Sequence, residues 1–348
     1  MSIEKYFITR QQPKANHAGS KAVRDTEIIL EEEGYKKIGI YPKRGGNAIV
    51  RKLVNYSSLS GIKNIKPDSL VVVEHPLYIS NKYIELLEKV KEAKRLKVAF
   101  LIHDFETIRC LFPDDMVVRS VEKKLLKIAD YIIVHNEKML GYFVDKFKFP
   151  EDRLINLRLF DYLCKGEKKG VTDGAISIAG NLNPQKSGYI YELASGAKEL
   201  TFNMYGVNYD EDKAGANCLY KGSVDADELP NVIDGRFGLV WDGTAVDSCN
   251  GATGEYLKLN NPHKASLYTA AGLPIIIWSK AALADLVEKE KIGFSVNSLT
   301  DIPEKLRGLS DEEYDQFKKN LENLSEKVRT GYFFRKALEE LESRLDIR

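Results

Sequence analysis

The segment with the clearest chemical content is Gly251–Pro274, which reads GATGEYLKLNNPHKASLYTAAGLP. Asn260 or Asn261 can cap a helix whose first turn contains Pro262, a residue suited to that position. Lys264 then lies in the same turn, where unpaired backbone N–H groups give the helix end a partial positive charge. A lysine beside such a helix end suits a diphosphate group. The sequence therefore predicts an anion site here.

An ordinary interpretation of Lys264 is a solvated lysine on a capped surface helix. Gly251 and Gly254, on the approach to the helix, favour the anion site, because glycine permits close contact between the backbone and a ligand. Further segments at predicted strand ends carry groups that suit an anion or a nucleotide, with plain turns as the alternative. They are Gly19, Ser20 and Lys21 after the first strand, Asn181 and Lys186 early in the second half, and Asp242 with Gly243 after a later strand.

Two tyrosines close strands in the second half and are candidates for stacking on a base. They are Tyr205 and Tyr220. The chain has 18 tyrosines, so a core or rim position is the more common outcome for any one of them.

His103 and Asp104 follow a predicted strand and place proton acceptors at its end. Transfer of a group to an acceptor hydroxyl requires a base, and a carboxylate or an imidazole can serve. Asp104 is our first candidate base, with Glu106 and His103 as the others, and Arg109 is a candidate anchor for an acceptor or a phosphate. The alternative is a helix-capping aspartate beside a buried histidine.

Other suggestive residues have structural interpretations. His75 and His135, at neighbouring strand ends, fit buried structural histidines, and His263 is expected to orient the helix that carries Lys264. The Asp225–Asp227 string resembles a divalent-cation motif, but its acidic residues crowd a predicted helix start, where the macrodipole favours them. We therefore predict a site without metal and a protein without a cofactor.

Composition restricts the class of protein. The 348 residues suffice for two domains, and 43% hydrophobic with 30% charged residues is normal for a globular protein. A net charge of +1 argues against nucleic-acid binding as the main role. The four cysteines have no metal-ligand spacing, and we find neither a signal peptide nor a membrane span, so we expect a cytoplasmic protein.

Short β-rich runs alternate with helical patterns throughout, which predicts α/β architecture with parallel sheets covered on both faces. Ser80 is a candidate N-cap for the clearest amphipathic helix. The predicted strands are Tyr6–Thr9, Lys37–Tyr41, Leu70–Val73, Val98–Ile102, Tyr131–Val134, Ala175–Ala179, Glu199–Tyr205, Cys218–Lys221, Phe237–Trp241, Leu273–Trp278 and Gly293–Val296.

The polar stretch Lys165–Gly174 predicts an interdomain linker. We expect an N-terminal domain over 1–165, a C-terminal domain over 166–328 and a helical segment over 329–348. Two doubly wound domains would place their ligands at the carboxyl ends of the strands, in the cleft between them.

Several motifs together resemble a bacterial family of GT-B glycosyltransferases. They are GxxGxYLKxNNPHKxSLYxAxGLP from Gly251, AGSK with Arg24, Ile102–Asp104 with Glu106 and Arg109, Gly180–Leu182, and Phe237–Gly243. The family includes glucosyltransferases that extend O-linked GlcNAc on streptococcal adhesins and β-galactofuranosyltransferases of polysaccharide assembly. The likeness spans nearly the whole chain, and its NNPHK and VWDG pieces are the most specific.

This resemblance implies two facing Rossmann-like domains, with the acceptor bound by 1–165, the nucleotide sugar bound by 166–328, and the helix over 329–348 packed on the N-domain. It also implies a UDP-sugar donor and a saccharide acceptor on a glycoprotein or a lipid-linked glycan. It implies inverting, metal-independent transfer of glucose or galactofuranose, donor contacts from the segments named above, and acceptor contacts from Arg24 and Arg109. It also implies self-association and peripheral contact with the inner membrane face. The alternatives are a non-catalytic partner subunit and another nucleotide-sugar enzyme, such as an epimerase.

Overall fold

This computed structural model describes residues 3–10, 18–40, 59–79, 81–111, 114–166 and 174–347. Ser80 and most of the predicted linker lie outside these ranges. The chain forms two compact units. The first comprises Met1–Ala15, Val23–Arg158 and Phe334–Arg348, and the second comprises Asn16–Ala22 and Leu159–Phe333. The functional assignment of the two units stays a prediction.

In its described part, the first unit has one six-stranded parallel sheet with the order β2-β1-β3-β4-β5-β6. Its strands are β1 (Lys5–Arg10), β2 (Lys36–Ile40), β3 (Leu70–His75), β4 (Lys97–Ile102), β5 (Tyr131–Val134) and β6 (Leu154–Asn156). Its described helices are α1 (Ala18–Glu32), α2 (Ser60–Lys63), α3 (Lys82–Lys94), α4 (Glu106–Arg109), α5 (Met116–Ile128) and α6 (Glu137–Phe147). The apolar sequence of β3 is buried along its whole length, as expected for a strand covered on both faces.

The second unit has a sheet of the same kind, with the order β12-β11-β10-β7-β8-β9 among the described strands. These are β7 (Ile176–Asn181), β8 (Phe202–Val207), β9 (Cys218–Gly222), β10 (Phe237–Val240), β11 (Ile275–Trp278) and β12 (Gly293–Val296). The helices are α7 (Pro184–Ser187), α8 (Tyr189–Gly196), α9 (Leu229–Val232), α10 (Gly251–Tyr256), α11 (His263–Ala271), α12 (Ala284–Lys289), α13 (Ile302–Gly308) and α14 (Asp311–Thr330).

Strand order sets where each unit can bind a ligand. In the second unit β7 lies between β8 and β10. The chain adds β8 and β9 on one side of β7, and then adds β10, β11 and β12 on the other side. The carboxyl ends of two such strands form the crevice in which doubly wound sheets hold their ligands. In the first unit β1 lies between β2 and β3 in the same way.

The final helix, α15 (Tyr332–Arg344), is tied to the first unit by polar contacts. Glu342 Oε1 accepts hydrogen bonds from Lys5 Nζ and from the Tyr35 hydroxyl, both at 2.9 Å. Arg335 pairs with Glu32 and Glu33 at the end of α1. These contacts join α15 to the start and end of the β1-α1-β2 crossover.

The predicted α/β class is confirmed, and each predicted strand has an observed counterpart. Strand β6 (Leu154–Asn156) was missed, because a run of three residues carries no periodic signal. The predicted strand Glu199–Tyr205 begins only at Phe202, since Glu199 and Leu200 belong to the preceding turn.

Helix α11 packs on the second sheet through Tyr268, which is fully buried. The Tyr268 hydroxyl accepts a hydrogen bond from the Ala179 N–H of β7 at 2.9 Å, and its ring lies directly against Gly238 of β10. A Cβ atom at Gly238 would lie 2.2 Å from Tyr268 Cγ, so only glycine leaves room for the ring. One side chain thus fixes α11 to both central strands.

We expect Gly238→Ala to destabilise the second unit by about 1–3 kcal/mol, because it overpacks the contact with Tyr268. Both tryptophans of the chain, Trp241 and Trp278, are buried in this unit, so their fluorescence during urea unfolding reports its stability. Gly196→Ala is the matched control, since a Cβ there meets nothing within 4 Å. Equal unfolding midpoints for the two variants would contradict this account of the packing.

Candidate functional site

The N-terminus of α11 lies in the second unit and differs in detail from the prediction. The helix begins at His263, and Pro262 holds the N-cap position with extended backbone angles, φ −65° and ψ 129°. The prediction that Asn260 or Asn261 caps a helix with Pro262 in its first turn is therefore wrong. No side chain caps this helix end, because proline has no side-chain acceptor. An uncapped end keeps its backbone N–H groups for other acceptors.

Lys264 extends from the first turn of α11 to the ends of both central strands. Its Nζ donates to the Trp241 carbonyl at 2.9 Å and to Asp242 Oδ1 at 2.8 Å. A Cβ placed at Gly180, near the end of β7, would lie 3.5 Å from Lys264 Cε. An ammonium carries three N–H donors, so these two bonds leave a third for a ligand. The lysine thus lies at the crevice expected from the strand order, with 18% of its side chain exposed.

The surroundings of Lys264 keep its side chain protonated. Burial alone would lower the pKa of this ammonium, but the adjacent Asp242 carboxylate outweighs burial and raises the pKa above its usual value. Lys264 is therefore protonated at neutral pH. A full positive charge stands beside the positive end of a helix, and the carboxylate balances it until an anion arrives.

The opposite end of α11 is satisfied by polar groups of α14. Lys318 Nζ donates to the Gly272 carbonyl at 2.7 Å, while Ser325 Oγ and Arg329 Nη1 both donate to the Ala270 carbonyl at 3.0 Å. Cations at a helix C-terminus complement its partial negative charge. The negative end of α11 is thus compensated inside the unit, whereas the positive end has no side-chain cap.

The loop after β10 packs tightly around Gly243. This glycine has φ +113°, and a Cβ there would lie 2.3 Å from Asn250 Oδ1. Asn250 Oδ1 instead accepts a hydrogen bond from the Thr244 N–H at 2.7 Å. The loop geometry directs Asp242 toward Lys264, so this predicted ligand contact is also the partner of the lysine.

Asn181 and Lys186 lie at the other side of the crevice, after β7. Asn181 Oδ1 accepts bonds from the Asn183 N–H at 3.1 Å and Asn208 Nδ2 at 3.0 Å, so its amide oxygen organises the loop. The Asn183 side chain caps α7 through the Gln185 N–H, and Lys186 on that short helix is exposed. Asn181 Nδ2 and Lys186 stay candidates for the donor.

The two candidate stacking tyrosines differ in environment. Tyr205 is buried in the core of the second unit, and its hydroxyl accepts a bond from the Asp234 N–H at 3.0 Å. A ring in the core cannot stack on a nucleotide, so we no longer expect this contact. Tyr220 is 42% exposed and its ring stacks on Tyr209 at a centroid distance of 4.6 Å, so it stays a candidate.

The Gly19–Lys21 segment lies in the first turn of α1, as predicted. The Lys21 side chain, however, is almost fully buried, with Nζ 2.5 Å from the Leu163 carbonyl and 2.9 Å from Asp227 Oδ1. Its ammonium is therefore neutralised inside the protein and is no longer a predicted donor contact. The backbone N–H groups of Gly19 and Ser20 keep that role as a prediction. Arg24, one turn later in α1, is half-buried.

Asp225–Asp227 lie in the turn before α9 rather than at its cap, because Glu228 holds the N-cap position and no side chain caps this helix. The Asp225 carbonyl accepts bonds from the Glu228 and Leu229 N–H groups at the start of α9, and its side chain accepts from the Asp227 N–H at 2.9 Å. His263 behaves as expected, because its ring stacks on Tyr162 at 4.8 Å and so helps to fix the start of α11.

In the first unit, the predicted carboxylates meet at Arg109. Its Nη1 lies 2.5 Å from Asp104 Oδ2 and 3.2 Å from Glu106 Oε1. Glu106 is buried and also accepts a bond from the Tyr78 hydroxyl at 2.7 Å. The structure thus brings Asp104, Glu106 and Arg109 together, but one guanidinium neutralises both carboxylates.

Glu122 of α5, which the sequence analysis did not identify, supports this group. It accepts bonds from the N–H groups of Glu106 at 2.6 Å and Thr107 at 2.8 Å, and from the Thr107 hydroxyl. His75 Nε2 lies 3.2 Å from the same carboxylate, which confirms its structural role. Glu122 therefore caps α4 from a neighbouring helix.

His103 faces a second carboxylate that was missed, Glu74 of β3, with His103 Nε2 3.4 Å from Glu74 Oε1. The Thr26 hydroxyl donates to the same Glu74 oxygen. The sequence did contain a signal for Glu74, because this charged residue directly follows the apolar residues of β3. His135 is buried and bonds the Ile102 carbonyl at 2.9 Å, as expected of a structural histidine.

Two parallel six-stranded sheets of this topology, each covered by helices, have the architecture of the GT-B fold. The fold is similar to that of an alpha-glucosyltransferase solved in complex with UDP, with a TM-score of 0.55 and 12% identity over 91% of this chain and 95% of that one. It is equally similar to a putative UDP-N-acetylglucosamine 2-epimerase from Listeria monocytogenes, with a TM-score of 0.55 and 10% identity over 99% and 98%. Fold alone therefore does not distinguish transferase from epimerase.

The sequence makes that distinction. Residues 5–147 match the family model described as "Glucosyltransferase 3-like, N-terminal domain", and residues 176–341 match its C-terminal counterpart. The chain is 33% identical over 347 residues to the beta-1,6-galactofuranosyltransferase WbbI of Escherichia coli (strain K12), covering 97% of this chain and 98% of that protein. The chain belongs to the glucosyltransferase 3-like family and is a glycosyltransferase. The partner-subunit and epimerase alternatives are not favoured.

Within the described ranges, every helix is too short or too polar to cross a membrane.

Removal of the Glu122 carboxylate should destabilise the first unit. We expect Glu122→Gln to cost about 1–3 kcal/mol, because the buried N–H groups of Glu106 and Thr107 lose an acceptor. Calorimetric unfolding measures the effect. Glu85→Gln is the control, since Glu85 pairs with Lys124 on the surface and such pairs contribute about 0–1 kcal/mol. An equal loss in the two variants would contradict a capping role.

Proposed function

We propose that the protein transfers a hexosyl residue, glucose or galactofuranose, from a UDP-sugar to a saccharide acceptor. The observation that carries this proposal is Lys264, protonated at an uncapped helix N-terminus in the crevice of the second sheet. Glucose and galactofuranose are the sugars named for the family and for the relative WbbI. UDP is the nucleotide bound by a solved neighbour of the same fold.

The second unit would bind the diphosphate of the donor. As the bond from the sugar C1 to the β-phosphate oxygen breaks, negative charge develops on UDP. Lys264 and the first N–H groups of α11 are positioned to stabilise this charge without reorganisation, because the former is held by Asp242 and the latter by the helix. The further donor contacts we propose are the backbone N–H groups of Gly19 and Ser20, together with Asn181, Lys186, Tyr220, Asp242, Gly243, Asn260 and Asn261.

The first unit would bind the acceptor, with Arg109 and Arg24 as the candidate anchors. An inverting transfer is a single displacement, in which the acceptor hydroxyl attacks C1 while a base removes its proton. The cluster of His103, Asp104 and Glu106 lies at the carboxyl end of β4, where such a base is needed.

The saccharide acceptor is proposed to belong to a glycoprotein or a lipid-linked glycan. We further propose a cytoplasmic site of action, including the inner membrane face, and self-association of the chain. The sequence resemblance supports the acceptor class, the membrane face and self-association, and the cysteine pattern supports the cytoplasmic site.

Lys264→Ala should weaken UDP binding by about 10- to 100-fold, because it removes one charged contact worth about 1.5–3 kcal/mol. Isothermal titration calorimetry measures the affinity, and the unfolding temperature without ligand reports on the fold. Lys258→Ala is the matched control, since Lys258 is an exposed lysine nearby in sequence that pairs with Glu255. Equal UDP affinity in the Lys264 variant, or preference of the wild type for NAD over UDP, would refute the proposed donor site.

We also propose that transfer needs no divalent cation, because Lys264 and the end of α11 supply the positive charge that a metal provides elsewhere. Excess EDTA is expected to leave the rate of UDP release unchanged. Restoration of lost activity by Mg²⁺ or Mn²⁺ after such treatment would contradict this. A metal-dependent transferase assayed in parallel confirms that the chelator is effective.

A further inference from the structure

Tyr189 carries a buried hydroxyl that makes no hydrogen bond within the described ranges of the chain. The residue begins α8 and lies fully buried in the core of the second unit. Burial of a hydroxyl without a bond costs free energy, and a phenylalanine ring at the same place would avoid that cost. Packing alone therefore does not explain why a tyrosine occupies this position.

The start of α8 lies against the loop that carries Asp242. A Cβ on Gly188, the residue before Tyr189, would lie 3.3 Å from Thr244 Cβ, so the helix and the loop are in close contact there. The carboxylate also acts on the hydroxyl electrostatically. Burial raises the pKa of Tyr189 most, and the charge of Asp242 is the next cause. The hydroxyl therefore keeps its proton at neutral pH and can donate it to an acceptor nearby.

Asp242 is an acceptor whose partner has a second task. Its Oδ1 accepts a bond from Lys264 Nζ at 2.8 Å, and a carboxylate has a further oxygen and further lone pairs for other donors. A diphosphate that attracts the Lys264 ammonium weakens this bond and brings more negative charge close to the carboxylate. Asp242 then requires another donor.

The other buried hydroxyl close to this carboxylate is already held. Tyr268 OH accepts the Ala179 N–H bond at 2.9 Å, which ties it to β7. The Tyr189 hydroxyl has no such bond in the described part of the molecule, so it can turn toward Asp242 without breaking one.

We propose that Tyr189 is a positioning residue for the donor diphosphate and that it acts through Asp242. The inference rests on the proposed function. When the diphosphate engages the Lys264 ammonium, the Tyr189 hydroxyl donates to the Asp242 carboxylate and stabilises its charge. The ammonium can then turn toward the charge that develops on UDP while the carboxylate stays hydrogen-bonded.

Tyr189→Phe removes the hydroxyl and keeps the ring. Isothermal titration calorimetry should give a UDP affinity about 3- to 30-fold below that of the wild type, because the complex loses one hydrogen bond to a charged group. The unfolding temperature without UDP should equal or exceed the wild-type value, since no bond is lost and a buried polar atom is removed. A lower unfolding temperature would show that the hydroxyl already has a partner, and would overturn the proposal.

Tyr83→Phe is the matched control. Tyr83 of α3 is also buried and its hydroxyl also has no partner among the described residues, but it belongs to the first unit. The control should bind UDP with wild-type affinity. An equal loss of affinity in the two variants would overturn a specific role for Tyr189.

A double-mutant cycle tests the route through Asp242. Asp242→Ala removes the carboxylate that would receive the hydroxyl bond, so in this background Tyr189→Phe should change UDP affinity by less than about twofold. The same loss with and without the carboxylate, or wild-type affinity in Tyr189→Phe alone, would overturn the role of Tyr189 while leaving the donor site intact. A wild-type protein that does not bind UDP would overturn both this role and the proposed function.

Discussion

The candidate donor site depends on one partly buried ion pair, between Lys264 and Asp242. The two residues come from different parts of the second sheet's periphery, a helix start and a strand end, and the Trp241 carbonyl completes the contact. Without the carboxylate, a nearly enclosed ammonium would lose much of its tendency to stay charged. Without the lysine, the carboxylate would repel the anion that we propose the crevice binds. Each charge therefore offsets the electrostatic cost of placing the other one at this position.

Charged groups at the strand ends of the first unit are also balanced by specific partners, but there the charges that need partners are negative. There, the described carboxylates have three kinds of partner. Asp104 and Glu106 share a guanidinium, whereas Glu122 accepts bonds from two backbone N–H groups. In the described part of the chain, Glu74 has a hydroxyl and an imidazole beside it. Such unequal environments assign different chemistry to groups of the same type.

Much of this arrangement was accessible from the sequence, because it follows from local patterns. The alternation of apolar strands with helices fixed the class of both sheets, and the NNPHK segment located the helix end and its lysine. What the sequence could not supply was the identity of partners distant along the chain. Lys21 appeared as a ligand contact because nothing local reveals that Asp227 and the Leu163 carbonyl enclose it. Tyr205 was misjudged for the same reason, since a strand-end tyrosine turns inward or outward according to its tertiary neighbours.

The contacts between α14 and the end of α11 have a consequence for how the chain matures. Lys318, Ser325 and Arg329 satisfy carbonyls of α11, yet they are synthesised after all the described strands of their own sheet. A nascent chain emerging from the ribosome can thus assemble the second sheet before these carbonyls find their donors. Until α14 follows, the Ala270 and Gly272 carbonyls lack the donors that they have in the folded unit. The negative end of α11 is therefore compensated only after the last helix of the second unit has been made.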